Sequence, residues 1–334
     1  MKTLSYFKNS FIVAAFGLVL SYFIGHSLTA VFITALLAVL ELSISVDNAV
    51  VNVTVLKQMD AKWQHRFITW GMLVAVFGMR LIFPLAIVAI AMGASPWSAL
   101  QLALFNPQEY SRVMLSVHAE VAAFGGSFLA LVALSYFFDH EKEVHWITSL
   151  EKPLSKLGKL GSIEVGAVLI ALVTLSQLLP HHSESVSFLI AGIFGVITFI
   201  LVDAIEALFK VPTKSVGAAG TGLGYFIYLE VLDASFSFDG VIGAFAITNN
   251  LLIIAIGLGI GAMFVRSLTL YMLKEGTLET YQYLEHGAFY AVAALATVML
   301  LDPFLHIPEA ATGLIGGVII ALSIVASIRE RSVR

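Results

Sequence analysis

The chain has 334 residues, 59% apolar and 12% charged, with a mean hydropathy of +0.94 and a formal net charge of -4. Soluble domains carry about 25% charged and about 45–50% apolar residues, so this is a membrane composition, and scattered basic residues with a pI near 6.1 exclude a nucleic-acid partner. The absence of cysteine excludes disulfides, thiolate metal ligation and a cysteine nucleophile, leaving oxygen, nitrogen and thioether groups for any chemistry.

Apolar stretches long enough to cross a bilayer as helices number ten, at about 8–25, 29–56, 66–93, 111–138, 163–180, 186–209, 222–248, 250–273, 278–301 and 309–328. The first is expected to stay in the mature chain, because no small-residue cleavage site follows it. The second contains Glu41, Ser43, Ser45, Asp47 and Asn48, and the third contains Arg80. Residues 105–110, with Asn106 and Pro107, read as a connection. His118 and Glu120 open the fourth span, and the loop 139–162 after it mixes acids and bases and reads as an interfacial connection. His181, His182 and Glu184 read as a solvated turn. Asp203 and Glu206 lie near the end of the sixth span, where acids one turn from a helix end reach the interface or form an entry site. The seventh span contains Glu230, Asp233, Ser235, Ser237, Asp239 and Gly240, the eighth Arg266, and the ninth Glu285 and His286.

Lys and Arg fix the expected orientation. With the N-terminus inside, all but three of the 18 basic residues collect in cytoplasmic loops and termini, Lys214 and Arg334 included. The exceptions are Arg112 outside and Arg80 and Arg266 within spans. The expected localisation is a multi-pass protein of the plasma (inner) membrane with cytoplasmic N- and C-termini.

Glu41 to Asp47 and Asp233 to Asp239 both read acid-x-Ser-x-Ser-x-Asp. The register continues: Arg80 and Arg266 occupy the spans after each motif, His118 and His286 open the next ones, and residues 166–172 resemble 316–322. The chain is therefore expected to be an all-α polytopic protein of two five-helix repeats, residues 1–185 and 186–334. Five is odd, so the second repeat enters the membrane from the opposite side, and inverted repeats place a transport site near the midplane where the halves meet.

A carboxylate at the centre of a span costs about 2.5–3.5 kcal/mol, so four facing lipid would cost on the order of 10 kcal/mol. They must face one another, a cavity or a cation. Positions six apart differ by about 240° on a regular helix, so either the helix unwinds near Ser43–Ser45 or Glu41 and Asp47 each serve a different face. Serine hydroxyls compete for backbone groups and Gly240 eases a break, which predicts partial unwinding in both motifs. An oxygen-rich set without histidine suits Mn²⁺, Mg²⁺ or Ca²⁺ better than Zn²⁺ or Cu⁺, with Arg80 and Arg266 compensating the acids. His118 and His286 fit either a proton relay or a hydrogen bond to a neighbouring helix.

The paired motifs resemble the two signatures of the TerC integral-membrane family among the LysE-like transporters. Residues 118–126 and 141–146 look like its subgroup catalogued as a domain of unknown function, DUF475. The resemblance implies manganese efflux, or manganese supply to exported enzymes, with Glu41, Asp47, Asn48, Asp233 and Asp239 as metal contacts and Ser43, Ser45, Ser235 and Ser237 in support. Gly240, where many relatives have a hydroxyl residue, and the long 139–162 loop depart from the pattern.

The expected function is a divalent-cation carrier working by alternating access, with Mn²⁺ as substrate, no catalytic cofactor, no enzyme activity and proton exchange as the expected coupling. Association into a homo-oligomer stays open. Two intramembrane aspartates also describe an aspartyl protease, but Phe236, Ser237 and Phe238 stand where that class needs a Gly-x-Gly before its aspartate. A membrane scaffold that assists secreted-protein metalation is the third reading.

Overall fold

The structure, a computed structural model, describes residues 2–71, 74–160, 162–210, 221–305 and 307–333. Lys214 and Arg334, which entered the charge count, lie outside the described residues, as do the side chains of Glu206 and Asp239. The described residues are 88% helical, with no strand among them. Helices satisfy their own backbone groups, which a bilayer core demands.

Helix α1 (Lys2–Gly25) is followed by α2 (Leu28–Ile44) and α3 (Val46–Leu56), which meet at a 52° bend on Ser45. Asp60 caps α4 (Ala61–Arg66) by accepting the Trp63 N–H at 2.8 Å, and the chain continues through π-helical turns at Phe67–Gly71 and Val74–Ile82 into α5 (Phe83–Ala91). A turn through Gly93, at φ +59°, reverses it by 105° into α6 (Pro96–Phe105), and α7 (Pro107–Ser116) leads to α8 (His118–Phe138). A short amphipathic helix α9 (Thr148–Leu157) precedes α10 (Ile163–Leu178) and α11 (His182–Lys210). Then come α12 (Thr221–Ile247), α13 (Leu251–Lys274), the single turn α14 (Thr277–Thr280), α15 (Leu284–Leu305) and α16 (Glu309–Val333).

Among the described residues, six helices are long and apolar enough to cross a membrane, or up to eight if each of the bent pairs, α2 with α3 and α5 with α6, counts as one span. The expected fifth span, α10, has only 16 residues, and the seventh, α12, is loaded with Glu230, Asp233 and Asp239. Phe16, Phe23, Phe32, Phe194 and Leu314 point outward, the side chains of a surface that meets hydrocarbon rather than water. The main core gathers α3, α8, α12 and α15; a second cluster packs α5 to α7 against α13 and the end of α12.

Three expectations are corrected here. Residues 105–110 are helical apart from Asn106, whose side chain accepts the Glu109 N–H at 3.4 Å, and Tyr110 is fully buried, so this is a packed element rather than a connection. The 139–162 segment contains α9 and a buried acid. In the second motif α12 runs unbroken through Gly240. That glycine serves close approach instead: a Cβ there would stand 3.0 Å from Glu41 Oε2.

Candidate functional site

The bend at Ser45 turns α3 so that Glu41, Asn48 and Asn52 border one buried cavity of about 60 Å³ together with Asp233 and Ser237 of α12. That is several times the roughly 10–15 Å³ one water needs. Glu41, Asp47 and Ser45 are all nearly inaccessible to solvent. Asn48 and Asn52 are four apart and therefore share a helix face.

The acids are not left bare. Arg80 projects from the π-helical turn and pairs through Nη2 with Glu41 Oε1, both side chains buried. Ser45 Oγ donates to the same carboxylate oxygen at 3.4 Å. Single π-helical insertions shift the facing register and recur at functional sites, and here that turn carries the compensating cation. Asp233 Oδ1 accepts from Asn52 Nδ2 at 3.0 Å, a bond that joins α3 to α12. Gly261 of α13 makes room for the Glu41 stem: a Cβ there would lie 2.4 Å from Glu41 Cβ and 2.8 Å from the Ala38 carbonyl.

Several polar atoms end in the protein without a hydrogen-bond partner among the described residues: Asn48 Oδ1, Asn52 Oδ1, Ser237 Oγ, Arg266 Nε and both oxygens of Glu230. Buried polar atoms are rarely left so. The first three line or flank the cavity, and with the Glu41 and Asp233 carboxylates they make an all-oxygen set that a hard cation fits. No group of three or more His, Asp or Glu is placed to hold a metal ion among the described residues, so amide and hydroxyl oxygens must complete any such set.

The other expected residues sort differently. Asp47 faces away, into a second, smaller pocket. Arg266 lines the first cavity, while Ser43 is exposed and bonds the Val39 carbonyl at 2.7 Å, and Ser235 bonds the Val231 carbonyl at 3.0 Å. Asp239 lies on α12, its side chain outside the described residues. Asp203 is exposed at a wide cavity of about 580 Å³ that also takes in Lys142, Glu285 and His286, and Glu120 is half-buried on the first turn of α8.

Neither histidine belongs to the acidic cavity. His118 Nδ1 sits 3.3 Å from Asp302 Oδ2, tying the start of α8 to the end of α15. His286 is buried and its Nδ1 lies 2.9 Å from Glu151 Oε2. Glu151, which the loop reading passed over, is 1% exposed and also accepts from Tyr290 Oη at 3.1 Å and the Ile147 N–H at 3.1 Å. Lys142 Nζ completes the group, 3.6 Å from Glu151 and 3.6 Å above the Tyr136 ring. Burial alone would push the Glu151 carboxyl up, but the His286 and Ile147 hydrogen bonds and the Lys142 charge hold it at about 2. Burial lowers Lys142 to about 8 against the opposing pull of Glu151. Only the apolar faces of α9 and the aromatic run at 136–138 hinted at this docking.

Fold and cavity define an integral-membrane helical protein with a buried polar site between its helices. The family model described as protein of unknown function (DUF475) matches residues 46–333, and the chain belongs to that family. The match begins beyond Glu41 and takes in Asp47 and the whole second motif. No curated protein and no solved structure matches the chain.

Proposed function

We propose that this protein carries a hard divalent cation, Mn²⁺ foremost, out of the cell by alternating access between two inverted five-helix halves, with ten crossings and cytoplasmic termini in the inner membrane. One observation carries the reading: Glu41 of the first motif and Asp233 of the second, nearly 200 positions apart in the chain, line one buried cavity with oxygen donors around them. Lining by carboxylate, amide and hydroxyl oxygens suits Mn²⁺, Mg²⁺ or Ca²⁺, and the resemblance to the TerC family favours Mn²⁺ among them.

Reciprocal contacts support the inverted halves. His118 of the first half meets Asp302 of the second, and His286 of the second meets Glu151 of the first, at opposite ends of the α8 and α15 pair. A bend in a spanning helix beside the site supplies the hinge that alternating access needs. Arg80 holds Glu41, so an arriving cation competes with a guanidinium for that carboxylate, and the exchange couples binding to movement of the π-helical segment. Uptake of Mn²⁺ into proteoliposomes by the wild type and Asp233→Asn tests the reading: the neutral variant is expected to lose at least tenfold in rate while still folding, and equal rates would overturn it.

A further inference from the structure

The second pocket lies across the bend from the acidic cavity. Its space is about 20 Å³, enough for one water-sized particle and no more. Four oxygen-bearing side chains line it: Ser45 at the bend, Asp47 and Asn48 of α3 and Thr312 of α16. Asp47 is 5% exposed, and its one described hydrogen bond is from the Asn48 N–H at 3.0 Å to Oδ1. Thr312 is 7% exposed, and its Oγ1, like Asn48 Oδ1, has no hydrogen-bond partner among the described residues. The remaining wall is apolar, including Phe236, Ala291 and Leu295, and no basic side chain lines it among the described residues. Gly316 of α16 also lines the pocket, and a Cβ there would stand in ordinary contact with Asp47 Oδ2, at 3.7 Å.

A carboxylate sealed among apolar groups is costly without a positive partner. Asp47 lies in the first turn of α3, the end of a helix that favours negative charge, while the C-terminal end of α2 at Ile44 and Ser45, also in the wall, presents the negative end of its dipole to anything bound there. One negative charge, neutral oxygens from an amide and a hydroxyl, and room for a single particle match a monovalent ion better than a divalent one.

We propose that this pocket binds one monovalent cation of sodium size, held by Asp47, Asn48 and Thr312, as a site separate from the Glu41 and Asp233 cavity. Asn48 lines both cavities, so the occupant of one is felt in the other. The bend in a broken helix is where transporters place such ions, and sodium rather than the proton becomes the coupling ion that the geometry favours.

The full-length protein in nanodiscs, melted in NaCl against choline chloride at equal ionic strength and pH, with radiosodium binding in parallel, tests this. Expected are a sodium-specific rise in melting temperature, saturation at one ion per chain, and an apparent affinity about tenfold weaker in Thr312→Val, which keeps the shape and removes the oxygen. Asp47→Asn is expected to abolish binding. No sodium-specific rise in the wild type or an unchanged affinity in Thr312→Val would each overturn the proposal, as would a rise that follows pH and ignores sodium. Mn²⁺ uptake on the same preparations separates the two readings: sodium binding without Mn²⁺ transport removes the function proposed above and leaves this site standing.

Discussion

Glu41 and Arg80 form a buried ion pair whose value lies in mutual compensation. Burying two charges costs several kcal/mol each, and removing one partner leaves the other bare, typically a loss of 3–5 kcal/mol. Arg80→Gln is therefore expected to destabilise by about 3–5 kcal/mol, while adding Glu41→Gln recovers much of that; unfolding followed by circular dichroism in detergent reads both, and additive losses would deny the coupling. Gly261→Ala is a second case, because the new methyl meets the Glu41 stem and a backbone carbonyl that cannot yield. A loss of about 1–3 kcal/mol is expected, with weakened cation uptake. The acids and Arg80 were legible in the sequence because charge within an apolar run is expensive anywhere but at a site. Asn52 was missed, since a neutral amide carries no such signal; its spacing of four from Asn48 was the available clue. Glu151 was missed because an acid among alternating charges in a loop reads as solvated.

Among the elements, the break at Ser45 was legible from two serines between the acids, whose hydroxyls compete for backbone groups, although the break leaves Glu41 and Asp47 on different pockets. The π-helical turns at Phe67–Gly71 and Val74–Ile82 were not, because an inserted residue leaves an apolar run looking the same, and glycines such as Gly71 and Gly78 are as common in regular membrane helices. The second motif misled for a related reason: Gly240 allows both a break and a close approach, and only packing against Glu41 decides. Helix α9 gives a pH prediction. Glu151 sits at about 2 in the fold against 4.5 as a free side chain, so between those values the unfolded segment binds more protons. Its stabilisation is complete above about 4.5 and is lost as pH falls toward about 2. Amide protection in residues 146–157, measured against the intrinsic exchange rate at each pH, should be high at neutral pH and fall across that window in the wild type. In Glu151→Gln it should already be low at neutral pH, and identical profiles would show that the acid does not hold α9.

On the scale of the whole molecule, membrane character followed from composition alone, and apolar lengths placed the helices well. The number of crossings is harder, because a short α10 and an acid-laden α12 fall below what length and apolarity certify, and α6 turns back on α5. The proposed repeat rests on motif spacing, whereas the contacts of His118 with Asp302 and of His286 with Glu151 depend on tertiary packing. A chain free of cysteine is suited to mapping this arrangement. Single cysteines replacing Lys152 and Ser183 should label from opposite sides of intact cells, Lys152 from the cytoplasm; labelling from one side would break the ten-crossing topology. The central claim is that Glu41 and Asp233 share a cation. Manganese isotope flux in proteoliposomes of wild type, Glu41→Gln and Asp233→Asn measures it most directly: saturable flux in the wild type that falls at least tenfold in both variants is the expected result, and flux absent from the wild type or undiminished in either variant would contradict it.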